Sequence, residues 1–307
     1  MQTILITGGT GLVGRALTNA LVQRGYKVII LTRHIPETAA GANTSYALWD
    51  VNKQTIDTGA VQAADHIIHL AGAGVVDKKW TDAYKKEIID SRVKSSQLLI
   101  STLQDHSNAV KTLVSASAIG WYGADKGQAD FIETDPPEKD FLGETCRLWE
   151  ESVEPVTLLG KRLVKLRTGI VLSNEGGALV EFKRPIRFGL AAILGSGKQM
   201  VSWIHIDDLC RMFIHAIENE NTNGTYNAVA PLPVTNKTLT LSLAKAMKGK
   251  FFIPVHIPRF ILKLLLGQRS IEVLKSATVS CEKIKGAGFV FLYPSIETAM
   301  AELNKKD

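Results

Sequence analysis

The chain has 307 residues, 45% of them hydrophobic and 21% charged, which suits a globular protein with material for one large α/β domain or two smaller ones. A net charge of +6 invites an acidic partner, but Lys and Arg occur in short runs such as Lys161-Arg162 rather than in a massed stripe, so no nucleic-acid partner is expected. Cys146, Cys210 and Cys281 are odd in number and lack a C-x-x-C pair, which excludes a disulfide framework and points to a reducing, cytoplasmic setting. Met1–Thr7 is too short for a signal core, and no apolar run reaches a membrane span, so no membrane partner is expected. His66 and His69 have no third partner at a ligand spacing, and no metal is expected.

Taken in order, the pattern predicts strands at Thr3–Thr7, Lys27–Thr32, Tyr46–Trp49, His66–Leu70, Thr112–Ser115 and Leu163–Arg167. Helices are predicted over Leu12–Arg24, Trp80–Gln104 and Gly143–Leu159. Such alternation builds a parallel sheet covered on both faces. Regularity then fades through a Gly-rich, basic stretch at 173–205, returning as a helix at Asp207–Glu218 and a strand at Gly224–Asn227. The expected architecture is an α/β Rossmann fold, a doubly wound parallel sheet over 1–172 and 206–228. A smaller discontinuous substrate lobe is expected from 173–205 and 229–307.

Thr7-Gly8-Gly9-Thr10-Gly11-Leu12-Val13-Gly14 falls where the first strand ends and the first helix begins. There Gly8 permits the tight turn, Gly11 admits a pyrophosphate against the backbone, and Gly14 lets helix and strand pack closely. The helix start adds free N–H groups and a partial positive charge for the phosphates. A site for NAD usually ends the second strand with an acid roughly 20 residues past the glycines. This strand ends Thr32-Arg33-His34, and Arg33 would attract a 2′-phosphate that a carboxylate would repel. NADP(H) is therefore the expected cofactor.

With Thr7-Gly8-x-x-Gly11-x-x-Gly14, His69-Leu70-Ala71-Gly72, Ser115-Ala116-Ser117 and Trp203-Ile204-His205-Ile206-Asp207-Asp208, nearly the whole chain resembles the extended short-chain dehydrogenases/reductases and nucleotide-sugar epimerases. Ser117–Gly123, Cys146-x-x-Trp149-Glu150 and Tyr226–Pro231 narrow the likeness to an epimerase-like subgroup with a C-terminal domain of unknown function. The resemblance places Gly8, Thr10, Gly11, Leu12, Val13, Thr32 and Arg33 against the cofactor. It adds Asp50 near the adenine edge, Leu70, Ala71 and Gly72 along the ribose and pyrophosphate, and Ile170 near the nicotinamide. Glu87 and Arg92 match polar positions directed at the cofactor, although a solvated helix pair would read the same way.

That superfamily works with Ser, Tyr and Lys, the Tyr proton being made available by a neighbouring ammonium. Here Ser117 fits the Ser position, but Leu142 and Cys146 fall where Tyr and Lys belong, and Arg92 where a supporting Asn belongs. Leu has no proton to give and a thiol is not a cation. Three accounts follow: catalysis with Tyr122 as acid or base, Ser117 orienting and Arg92 supplying charge; a reactive Cys146; or NADP(H) binding without turnover, as a sensor. Tyr122 also reads as a structural loop aromatic, and Cys146 as a packing residue. The substrate class implied is a small carbonyl, hydroxyl or sugar-derived molecule. Lys183, Arg184, Arg187 and Lys198 are candidates for its anionic part, and the His205–Asp207 stretch reads as a helix cap through Asp207 or Asp208.

Overall fold

The computed structural model describes residues 1–37, 41–125 and 130–305. The chain opens with β1 (Thr3–Thr7), α1 (Leu12–Gln23), β2 (Lys27–Thr32), β3 (Thr44–Asp50), β4 (Thr55–Ile56), α2 (Thr58–Gln62) and β5 (His66–His69). Next come α3 (Asp82–Asp105), β6 (Thr112–Ala118), α4 (Phe141–Val153), β7 (Arg162–Thr168) and β8 (Ile170–Leu172). Then follow α5 (Ala178–Arg187), β9 (Leu190–Leu194), β10 (Met200–Val201), β11 (Trp203–His205), α6 (Ile206–Glu218) and β12 (Gly224–Ala228). The chain continues with β13 (Val234–Thr235), α7 (Asn236–Lys248), β14 (Ile253–Ile257) and α8 (Arg259–Leu266). It closes with α9 (Ser270–Leu274), α10 (Glu282–Gly286) and α11 (Ile296–Glu302).

The main sheet runs β12-β7-β6-β5-β1-β2-β3-β4. Its strands are parallel apart from β4, which runs against β3. This is the doubly wound Rossmann order, with its switch point between β1 and β5. Side chains of a strand alternate between faces, and both faces here are dry. Ile4 and Ile6 therefore join Leu17, Leu21 and Phe213 of α1 and α6. Leu5 points the other way, into a core with Leu98, Leu99 and Leu103 of α3.

A third core unites Leu179 and Ile186 of α5, Leu239 and Leu243 of α7, Met300 of α11 and Trp203. These residues come from the two segments expected to form the substrate lobe. Val279, Cys281, Ile284 and Phe289 fall in the same segments yet pack into the α1–α6 core. Lys306 and Asp307 lie outside the described residues.

Two helices differ from expectation for local reasons. The single helix expected over Gly143–Leu159 stops as α4 at Val153 and continues as a 3₁₀ turn over Glu154–Leu159. Pro155 explains the change, since it has no N–H for the α ladder and clashes with the turn before it. Trp80 lies outside α3, whose cap is Thr81, accepting the Tyr84 N–H. The α6 cap is also corrected: His205 Nδ1 accepts the Asp207 N–H at 3.1 Å. Asp208 is buried and accepts instead from the Leu292 and Tyr293 N–H groups, both at 2.9 Å.

Gly14 is required by closeness, not by dihedral angle. A Cβ there would overlap the Gly8 carbonyl oxygen and Gly9 Cα. Gly14→Ala is expected to cost about 1–3 kcal/mol as the turn and α1 are forced apart. A thermal melt and a dinucleotide titration, both impaired, check this; an unchanged melt would contradict it.

Candidate cofactor cleft and the network behind it

The C-terminal ends of β1, β2, β3 and β5 and the start of α3 enclose a cleft of about 920 Å³. Gly8, Thr10 and Gly11 line one wall, with Thr32, Arg33 and Asp50 further along. Leu70, Ala71, Gly72 and Glu87 face them. Gly8 sits at φ +70°, and a Cβ on it would stand 2.9 Å from the Leu70 carbonyl carbon. Only glycine lets the two strand ends come this close. The N-cap of α1 is Gly11, and its first turn holds no acid, so the helix end stays open to an anion. The chain's own residues thus fit a diphosphate at this turn.

Arg33 walls both this cleft and an adjoining recess of about 390 Å³ that it shares with Asp50 and Lys53. The Asp50 carboxylate accepts the Lys53 N–H at 3.2 Å and the Asn52 N–H at 2.9 Å. Those backbone bonds, the Lys53 one first, hold its carboxyl below the ordinary range.

Other expected positions lie off the cleft wall. The Leu12 side chain is turned toward Gly176 and Gly177, within 3.5 Å of where their Cβ atoms would be. Val13 packs against the α1–α6 core, so from both residues only the backbone N–H groups are suited to a ligand. Ile170 is exposed on β8, which pairs with β11.

Glu87 and Arg92 do not pair with each other. Glu87 meets Lys78 at 3.2 Å across the cleft edge. Arg92 is buried behind Gly72, with Nη1 donating to the carbonyls of Ala73 at 3.0 Å and Ile88 at 2.9 Å. Its guanidinium carbon stands 4.9 Å from the Trp149 ring centre, and burial pulls its pKa down.

The loop between β5 and α3 was not expected at the site. Asp77 and Lys78 line the cleft, and the loop is shaped by the Trp80 indole donating to the Val75 carbonyl at 2.7 Å and Tyr84 to that of Gly74 at 2.5 Å. Its one local signal was a run of small residues after the strand, too common to identify it.

Ser117 and Tyr122 lie elsewhere. The Ser117 hydroxyl donates to Glu150 at 2.7 Å. The same carboxylate is clasped by Arg167 through Nε at 2.7 Å and Nη2 at 3.0 Å. Arg167 Nη1 reaches the Tyr122 oxygen at 2.9 Å, and Tyr122 donates to Asn227 Oδ1 at 2.6 Å. Burial pushes the Tyr122 phenol up to about 12. Its ring stacks on Phe131. An acid–base group at the crevice needs the opposite: access and a lowered pKa. The expectation that Tyr122 reaches the crevice does not fit this geometry.

The two replaced positions also pack tightly. A Cβ on Gly120 would lie 3.3 Å from Leu142 Cβ and 3.6 Å from Cys146 Sγ. Burial first, then the Glu150 charge, pushes the Cys146 thiol up to about 12, so it packs rather than reacts. The Arg92 charge, from α3, pulls the thiol back only weakly against that burial. In the lobe, Lys183 donates to Asn174 Oδ1 at 2.6 Å and the Leu303 carbonyl at 3.1 Å, which ties it to the end of α11.

His69 shows how the cleft floor is fixed. Thr7 Oγ1 accepts the N–H groups of Leu70 and Ala71, so its own proton goes to His69 Nδ1 at 2.7 Å. The ring is therefore protonated on Nε2, which meets Ser96 Oγ at 3.1 Å. Burial, reinforced by Arg92, pulls its pKa to about 3. A depressed folded-state value means the unfolded chain takes the proton first. Stability should fall as pH drops from about 6.5 toward 3, and His69→Gln should flatten that slope in urea titrations across this range. An equal slope in both proteins would remove His69 as its source.

A glycine turn at the switch point, an open helix start and a cleft along four strand ends define a dinucleotide-binding protein of the Rossmann class. Residues 4–141 match the NAD dependent epimerase/dehydratase family, and residues 257–303 match a domain of unknown function, DUF1731. The epimerase family protein SAR0825 of Staphylococcus aureus is 37% identical over 308 residues, covering all of both chains. One from Staphylococcus saprophyticus is 36% identical over 99% of both. The chain belongs to the NAD-dependent epimerase/dehydratase family. Among solved structures, human epimerase family protein SDR39U1 with NADPH matches at a TM-score of 0.85 and 27% identity, over 99% of each chain. A nucleoside-diphosphate sugar epimerase from Corynebacterium glutamicum gives a TM-score of 0.77 at 32% identity, over 99% of this chain and 58% of that one.

Proposed function

We propose that this protein binds NADP(H) and serves as an oxidoreductase or epimerase on a small carbonyl, hydroxyl or sugar-derived substrate, with an atypical proton-handling site. The observation that carries the cofactor choice is Arg33, on the cleft wall at the end of β2 where an NAD site would place an acid. The NADPH held by the human relative supports it. When bound, the nicotinamide supplies or accepts the hydride. The glycine turn and the start of α1 hold the diphosphate, and Asp50, Leu70, Ala71 and Gly72 shape the adenosine side. Ser117 and Tyr122 are engaged in the buried network, and Arg92, held behind Gly72 on the Ala73 and Ile88 carbonyls, is proposed to steady charge from beneath the cleft floor without touching substrate, the proton being exchanged with water.

That network also favours a second reading, an NADP(H) sensor without turnover. Both are tested by titrating NADPH and NADH, then following NADPH oxidation with carbonyl compounds and, because epimerisation returns the cofactor to its starting state, product formation with nucleotide sugars. Turnover that falls in Arg92→Met but persists in Tyr122→Phe supports the enzyme. Tight NADPH binding with no turnover anywhere on the panel supports the sensor, and no affinity for either dinucleotide overturns both. Tyr122→Phe, which removes two buried hydrogen bonds, should lower stability by about 1–3 kcal/mol without changing NADPH affinity.

A further inference from the structure

Between Asn221 and Ile271 the chain carries seven Lys or Arg and neither Asp nor Glu, although acids make up 30 of its 307 residues. The stretch from Phe182 to Ile206 adds four more bases and again no acid. Together these segments hold more positive charge than the whole chain's +6.

They also hold an uncovered apolar surface. β14 pairs only with β9, in a small parallel sheet of two strands, and four of its five residues are exposed. The helix that follows, α8, buries Leu262 alone. Phe260 is 70% exposed, Leu264 84% and Leu265 66%, with Phe251 just before β14 at 87%. Lys250, Arg259 and Lys263 are exposed among them. Isolated exposed apolar residues need no explanation, but so many concentrated in one short stretch of chain suit a surface that is covered in use.

We infer that the β14–α8 face docks on an anionic lipid surface, with Phe260, Leu264 and Leu265 at headgroup depth and Lys250, Arg259 and Lys263 among the phosphates. Charge selects the occupant. A second copy of this chain meeting face to face would set each base against bases, with no acid on either side. Side chains about two-thirds exposed or more project from the surface instead of lining a groove, so a partner with fixed pockets would have to match them one by one. A fluid acyl layer accepts them without shape matching, and its anionic headgroups meet the bases. Among the described residues no helix is long and apolar enough to cross a membrane, and docking at the surface needs none. This departs from the expectation of no membrane partner, which rested on the lack of a span.

The face also adjoins the cofactor cleft. Arg269, in the turn after α8, donates to the Val76 carbonyl at 2.6 Å. Val76 is itself exposed, and its neighbours Asp77 and Lys78 line the cleft. A docked molecule would hold the cleft mouth beside the lipid.

The test is sedimentation of the full chain with phosphatidylglycerol–phosphatidylcholine vesicles and with phosphatidylcholine alone. Binding is expected to the anionic vesicles and to be lost at about 1 M salt, where charges are screened beyond ~3 Å. Leu264→Asp and Phe260→Ser should each weaken it roughly tenfold or more, with thermal melts and NADPH titrations unchanged. Lys263→Glu should weaken it on anionic vesicles only. No sedimentation with anionic vesicles, or equal sedimentation of wild type and Leu264→Asp, overturns the proposal. So does a dimer in light scattering that Leu264→Asp dissociates while vesicles stay unbound.

Discussion

Arg33→Asp should weaken NADPH binding roughly 10- to 100-fold while leaving NADH binding little changed, the size expected when a hydrogen bond to a charged group worth about 1.5–3 kcal/mol is removed. Arg33 stands on the cleft wall past β2, next to the recess it shares with Asp50 and Lys53. A planar guanidinium can meet two oxygens of a phosphoryl group at once, whereas a carboxylate there adds repulsion to the loss. Arg33→Lys keeps the charge without the fork and should fall between the two. Because the site is open to solvent, the discrimination should shrink as salt rises. Calorimetric titrations of both dinucleotides at two salt concentrations decide it: equal losses for NADPH and NADH would show that Arg33 does not read the extra phosphate.

Glu150→Ala should destabilise the fold by about 3–5 kcal/mol, the usual result of stripping one partner from a buried ion pair. Glu150 is clasped by Arg167 at 2.7 Å, receives the Ser117 hydroxyl and stands 3.5 Å from Lys165. Arg167 is almost fully buried, its guanidinium carbon 3.7 Å from the Trp121 ring centre. Without the carboxylate, its charge stays in the interior with, among the described residues, Tyr122 and the Glu133 carbonyl as acceptors. Glu150→Gln keeps an oxygen and should cost less. Urea unfolding measures the difference, and a loss below about 1 kcal/mol would mean the network is solvated in solution. NADPH should still bind Glu150→Gln, since Glu150 does not line the cleft.

Much of the cleft was legible in the chain because its signals are local. Gly8, Gly11 and Gly14 span one turn and the helix start after it, and Arg33 directly follows a strand whose limits match the pattern. The acid-free tract from Asn221 to Ile271 is legible too, because its bases are spread singly and the feature that sets it apart is where acids are missing.

What the sequence by itself determined was the alternation of elements, the glycine turn and the base beyond the second strand, since each depends on residues a few positions apart. The tertiary structure alone decided what Ser117, Tyr122 and Arg92 do. Ser117 meets a carboxylate 33 residues away and Tyr122 an amide 105 residues away. Arg92 is held by the Ala73 carbonyl, 19 residues away, and lies over the Trp149 ring of another helix. No period in the chain encodes such partners. They follow from which strands lie side by side and from the need of every buried polar group to find its match.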